Sequence, residues 1–130
     1  MIEEFRRARR RKVSDTVLVT DSMTDSVVGR IGDLSETGML LIAGAPMVED
    51  ALYQFRFHLP DAHGREAVIE VGAHLLWLDR ASAPGQSWTG FRFIAVPEEQ
   101  ADQLRHWIDA PGGQFVAEHA GTPRPPRTLV

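Results

Sequence analysis

Between residues 16 and 95 the chain alternates short runs of apolar, β-branched and aromatic residues with clusters of Gly, Pro, Asp and Ser, which is the pattern of strands joined by tight turns. Tyr53-Gln54-Phe55-Arg56-Phe57-His58-Leu59 is its plainest case, with aromatic and aliphatic residues on one parity and polar ones on the other. It predicts a strand with one face buried. Residues 66–78 predict a longer strand with Ile69, Val71, Ala73, Leu75 and Trp77 on one face, and Gly72 marks a bulge within it. Residues 16–20 and 26–31 flank the turn-like Asp21-Ser22-Met23-Thr24-Asp25 and predict a hairpin. Residues 39–43 form an apolar run too short for a helix, and residues 88–95 supply the last strand. Six short strands with no helix between them predict a mainly β fold, a small six-stranded antiparallel barrel.

One helix follows, over residues 97–109. Pro97 suits a first turn, Glu98 and Glu99 complement its positive end, and Ala101, Leu104, Trp107 and Ile108 form an apolar stripe that caps the barrel or packs on its side. Pro111-Gly112-Gly113 stops the helix, and the Gly, Pro and Arg content beyond it predicts a disordered tail over residues 111–130. At the other end, five arginines within six positions repel one another, so residues 1–12 are expected to be a flexible arm. The folded body is then residues 13–110, a barrel with a C-terminal helix and flexible termini.

A chain of 130 residues suits one domain with a core of its own. It has no cysteine, which excludes disulfides and thiolate metal sites, and its N-terminus is charged rather than apolar. No apolar run approaches the length of a bilayer span. The expectation is a cytoplasmic protein with no membrane span. Charge refines the picture. Residues 1–12 hold six basic and two acidic side chains against an overall −4, so an arm of +4 sits on a body of −8. A basic arm calls for an anionic partner, whereas the acidic body argues against a broad DNA-binding face.

Chemistry concentrates at Asp33-Leu34-Ser35-Glu36-Thr37-Gly38, an acid, a hydroxyl and a glycine set between two apolar segments. In extended backbone Asp33 and Ser35 can point the same way, and Gly38 permits either a positive φ or a close approach of backbone. Upstream lies Arg6-Arg7-Ala8-Arg9-Arg10-Arg11-Lys12. A carboxylate that accepts N–H donors and guanidinium groups that grip phosphate are complementary tools for a guanine nucleotide. The bland alternatives are a Ser/Gly turn between strands and a basic tail binding through summed charge. Five arginines to one lysine favour forked contacts over a mere field.

These two motifs resemble the PilZ domain family, whose signature is Arg-x-x-x-Arg followed some twenty to thirty residues later by Asp/Asn-x-Ser-x-x-Gly. Here the first half is met by Arg7 and Arg11, with Arg6 and Arg10 as a second register, and the other half by Asp33, Ser35 and Gly38. The family also tends to show a tryptophan late in one strand and Gly-x-x-Phe in the next, matched by Trp77 and by Gly90-Phe91-Arg92-Phe93. The resemblance covers roughly residues 6 to 109. It implies a PilZ-like barrel that binds the bacterial second messenger cyclic di-GMP, with Arg6, Arg7, Arg10, Arg11, Asp33, Ser35, Gly38 and Trp77 as ligand residues. Asp33 would accept the N1–H and exocyclic N–H of guanine, a donor pair that adenine does not present, and Ser35 would add a further hydrogen bond. By parity Trp77 belongs to the core with Ile69 and Val71; it becomes a stacking platform if a bulge at Gly72 rotates the strand's end. The resemblance further implies an adaptor acting on a partner protein in motility, pilus or exopolysaccharide machinery. The rival is an interaction domain whose arm docks an acidic protein, RNA or membrane surface with no small ligand.

Nothing predicts catalysis. The phosphate loop, the dinucleotide fingerprint and the Gly-x-Ser-x-Gly elbow are absent, and His58, His63, His74, His106 and His119 have no metal-ligand spacing. The expectation is no enzyme, no metal and no cofactor.

Overall fold

A computed structural model describes residues 8–117. Seven strands, β1 (Arg11–Lys12), β2 (Leu18–Asp21), β3 (Ser26–Leu34), β4 (Gly38–Ala43), β5 (Leu52–Pro60), β6 (Glu66–Arg80) and β7 (Ser87–Ala95), precede the helix α1 (Glu98–Asp109). All pairings are antiparallel. The six longer strands close in the order β3-β2-β5-β6-β7-β4 and back to β3, so the six-stranded barrel read from the hydrophobic pattern is the fold. Closure leaves the barrel no open edge. β1 adds alongside the far end of β3, with Arg11 opposite Leu34 and Lys12 opposite Asp33, beyond the stretch that β2 covers.

The barrel fills with the residues that the alternation assigns to it. Phe55, Phe57 and Leu59 from β5 and Ile69, Val71, Ala73 and Leu75 from β6 are buried. Phe91 meets the ring of Phe55 edge-on at 5.0 Å. Leu104 and Ile108 of α1 join this core, and the helix packs against β5 and β6. Pro97 stands at the N-cap rather than inside the first turn. No helix among the described residues is long and apolar enough to cross a membrane.

Two boundaries move. Residues 10–12 do not hang free: β1 is paired on one edge with β3 and on the other with the segment after α1, where Lys12 N–H donates to Gln114 O (2.7 Å) and Val116 N–H to Arg10 O (2.9 Å). The arginines do not repel the arm off the surface because each of Arg9, Arg10 and Arg11 has an acceptor of its own. The same bonds order residues 114–116, in place of the disordered tail that the Gly/Pro content predicts there. Residues 1–7 and 118–130, the greater part of both expected flexible termini, lie outside the described residues.

Candidate functional site

Two β-bulges build the site. Strand alternation would send Asp33 into the core beside Ile31, but the β3–β4 register slips between them, so that Ile31 faces Leu41 while Asp33 faces Leu40. Gly32 is the extra residue. The slip turns Asp33 to the outer face and leaves the next residue, Leu34, buried opposite Met39. The same device operates on β6. Leu75 pairs with Phe91 and Trp77 with Gly90, which makes Leu76 the extra residue and turns Trp77 outward, while Leu78 faces the buried Thr89. The expected irregularity at Gly72 is also present, but its extra residue, Ile94, is on β7 and leaves the parity of β6 unchanged.

A single cross-strand row results: Lys12, Asp33, Leu40, Gly90 and Trp77, one from each of β1, β3, β4, β7 and β6. Asp33 stands at one end and the indole of Trp77 at the other, lying over Gly90, with Leu40 as floor between them. The cleft measures about 230 Å³ and is lined also by Arg10, Ser35, Thr37, Gly38, Leu76 and Arg92. Trp77 is 6% exposed and Asp33 4%, so both are largely buried walls of the cleft.

Arg10 enters the cleft from β1's end and forks onto Asp33, Nε to Oδ1 at 3.1 Å and Nη2 to Oδ2 at 3.0 Å. Its side chain keeps 26% exposure, so one charge of the pair is buried and the other partly in water. Alternation then sends Arg11 to the opposite face, where Nη1 donates to the carbonyls of Trp107 (2.6 Å) and Ala110 (3.0 Å). Of the two arginine registers, the structure brings Arg10 to the cleft and takes Arg11 away from it. Arg6 and Arg7 lie outside the described residues.

Ser35 closes the β3–β4 turn. Its Oγ accepts the backbone N–H of Thr37 and of Gly38, both at 3.1 Å, so its lone pairs serve the turn and hold the backbone of the notch rather than standing free in the cleft. Gly38 does not use a positive φ. It is required by close approach, because a Cβ there would fall 2.2 Å from Phe91 O. Gly38→Ala should therefore force β4 and β7 apart beside the site and destabilise the fold by about 1–3 kcal/mol, measurable by denaturant unfolding.

Sequence reasoning missed Leu40, Leu76 and Arg92 as cleft residues. The one available signal was Leu75-Leu76-Trp77-Leu78, where both parities are apolar and simple alternation fails. Among the described residues no group of three His, Cys, Asp or Glu is placed to hold a metal ion.

Comparison with known proteins adds a family and a fold. The PilZ domain model matches residues 4–110. Among solved structures, the barrel superposes on the Bacillus subtilis inhibitor of motility MotI/DgrA with a TM-score of 0.64 at 12% identity, covering 80% of this chain and 49% of that one. Against Escherichia coli YcgR in complex with c-di-GMP the TM-score is 0.60 at 23% identity, covering 80% and 44%. The PilZ domain of Escherichia coli YcgR with c-di-GMP gives 0.56 at 20%, covering 78% and 86%. The chain thus spans about half the length of MotI/DgrA and less than half that of full YcgR, and at these identities the likeness is one of fold. No curated protein matches the sequence.

Proposed function

The chain belongs to the PilZ domain family, and on that premise we propose that it is a non-enzymatic receptor for cyclic di-GMP that acts as an adaptor on a partner protein. The observation that carries this reading is the row from Asp33 across Leu40 and Gly90 to Trp77, which sets a carboxylate and an indole at opposite ends of an apolar floor. A planar base fits such a slot. Its N1–H and exocyclic N–H groups would donate to the two oxygens of Asp33, and one ring face would lie along Leu40 towards the indole. The matched YcgR structures, solved with c-di-GMP, support the choice of nucleotide.

Size decides how much of the ligand is enclosed. A cleft of about 230 Å³ falls below the roughly 300–1,000 Å³ of pockets that bury a whole drug-sized molecule, so it holds one guanine while the phosphates lie at the rim. Arg10 and Arg92 stand at that rim. Arg10 forks onto the Asp33 carboxylate, the same oxygens the base would need. Guanine takes its place there, and Arg10 turns its fork to a phosphate or to guanine O6/N7. One charge-assisted contact is exchanged for another, and the gain comes from the base, the phosphates and the arginines that close on them. Movement of the arginines onto the ligand would change the surface presented to a partner, to the extent that the ligand prefers the closed state.

Calorimetric titration with cyclic di-GMP tests this directly. A saturable response is expected, with cyclic di-AMP far weaker because adenine lacks the paired donors. Absence of saturation, with binding instead to acidic polymers or vesicles that fades steeply with salt, would support the rival reading of a basic interaction arm.

A further inference from the structure

Arg9, Arg10 and Arg11 are consecutive, and their side chains reach separate anchors. Arg10 holds Asp33 on one face of β1. On the other face Arg11 donates to two carbonyls at the end of α1, those of Trp107, which also accepts the Ala110 N–H, and of Ala110, and its guanidinium lies 4.6 Å from the Trp107 ring. Arg9 pairs with Asp109 at 2.6 Å and lies 4.3 Å from the Phe115 ring. The backbone repeats this linkage. β1 runs between β3 and residues 114–116, so Arg10 offers its side chain to the cleft and its carbonyl to Val116 N–H. Arg105 adds a contact from α1 to Glu36 at the tip of the notch, 3.4 Å away.

We propose that residues 114–116 and the last turn of α1 form a latch on β1, with Arg11 as its positioning residue, so that latching and nucleotide binding are linked equilibria. The proposal rests on the receptor reading and deepens it by naming the segment that responds. A two-residue strand opens at low free energy, and an open β1 carries Arg10 away from the cleft. A ligand held by both Asp33 and Arg10 ties β1 to β3 and removes the open population. Residues 114–116, whose backbone partners lie on β1, are then held more firmly, and by reciprocity a broken latch must weaken the ligand. The C-terminal segment is thereby the element through which occupancy of the cleft reaches the far side of the domain.

The test uses the full chain, cyclic di-GMP, and two variants. Val116→Pro removes the donor to Arg10 O without touching the core, and Arg11→Gln keeps length but loses the charge and the fork. Each is expected to weaken binding about five- to tenfold, the low end of coupling between linked sites, with the same melting behaviour of the barrel. In the wild type, saturation should slow hydrogen exchange at Val116 and Lys12 by a similar factor, which a merely structural role for Arg11 would not produce. Wild-type affinity in Val116→Pro, or exchange at those amides indifferent to ligand while the wild type binds, overturns the latch and leaves the receptor reading intact. Absence of binding by the wild type overturns both.

Discussion

Replacing Asp33 by alanine is expected to remove cyclic di-GMP binding while the barrel stays folded. In the proposed complex the carboxylate accepts two guanine N–H groups, and each hydrogen bond to a charged group is worth about 1.5–3 kcal/mol, so losing even one would cost roughly ten- to 150-fold in affinity. Asp33 also holds Arg10, and that second role decides what happens to stability. Because the Arg10 side chain is 26% exposed, water takes over its hydrogen bonds when the acid is gone, and no fully buried cation is stranded. The melting transition should therefore fall only slightly. Asp33→Asn sharpens the experiment, since it keeps the shape and one acceptor oxygen and should retain part of the affinity. Normal binding by Asp33→Ala would show that the notch is not the base site. An unfolded variant, paired with a folded Asp33→Asn that binds as the wild type does, would make Asp33 a strut.

What alternation can and cannot predict is visible in this site. On β5 the rule of two holds without interruption, and Phe55, Phe57 and Leu59 are buried as their parity requires. The hairpin of β2 and β3, the six-strand count and the apolar stripe of α1 follow from the same local physics. The cleft itself depends on places where the rule fails. One slip at Gly32 and another at Leu76 move Asp33 and Trp77 from core parity to the outer face, and a period-two reading cannot contain a slip whose cause lies in the neighbouring strand. Trp77 could thus be placed in the core or at the ligand from its sequence context, and the register decides for the cleft wall. The arginines pose the same problem, since nothing in Arg9-Arg10-Arg11 shows which one faces Asp33 until β1 is paired with β3. The return of Phe115 and Val116 onto β1 was hidden by the Gly and Pro around them, although two apolar residues amid a polar tail are a reason to expect docking.

That pairing turns the arginine block into a prediction that separates register from summed charge. Arg10→Lys preserves the charge but loses the fork that matches a carboxylate, a phosphate or the O6/N7 edge of guanine, and should weaken cyclic di-GMP about tenfold or more. Arg9→Lys should be nearly silent, because its ion pair with Asp109 is exposed on both sides, at 59% and 57%, and such pairs contribute about 0–1 kcal/mol. Arg11→Lys keeps one donor for the α1 carbonyls and should cost only a few-fold, through the position of Arg10 and not through ligand contact. With Arg10 at the cleft, Arg6 is its natural partner in the Arg-x-x-x-Arg spacing, so Arg6→Lys should exceed Arg7→Lys. The five variants are to be titrated at two salt concentrations. Added salt weakens a pure field for all five alike, whereas it leaves the gap between Arg10→Lys and Arg9→Lys in place if the fork is what binds. Equal, small losses across the series that track ionic strength would sink the register and favour the basic interaction arm. A deficit at Arg7 and Arg11 that exceeds the one at Arg6 and Arg10 would mean that β1 re-pairs when the nucleotide enters.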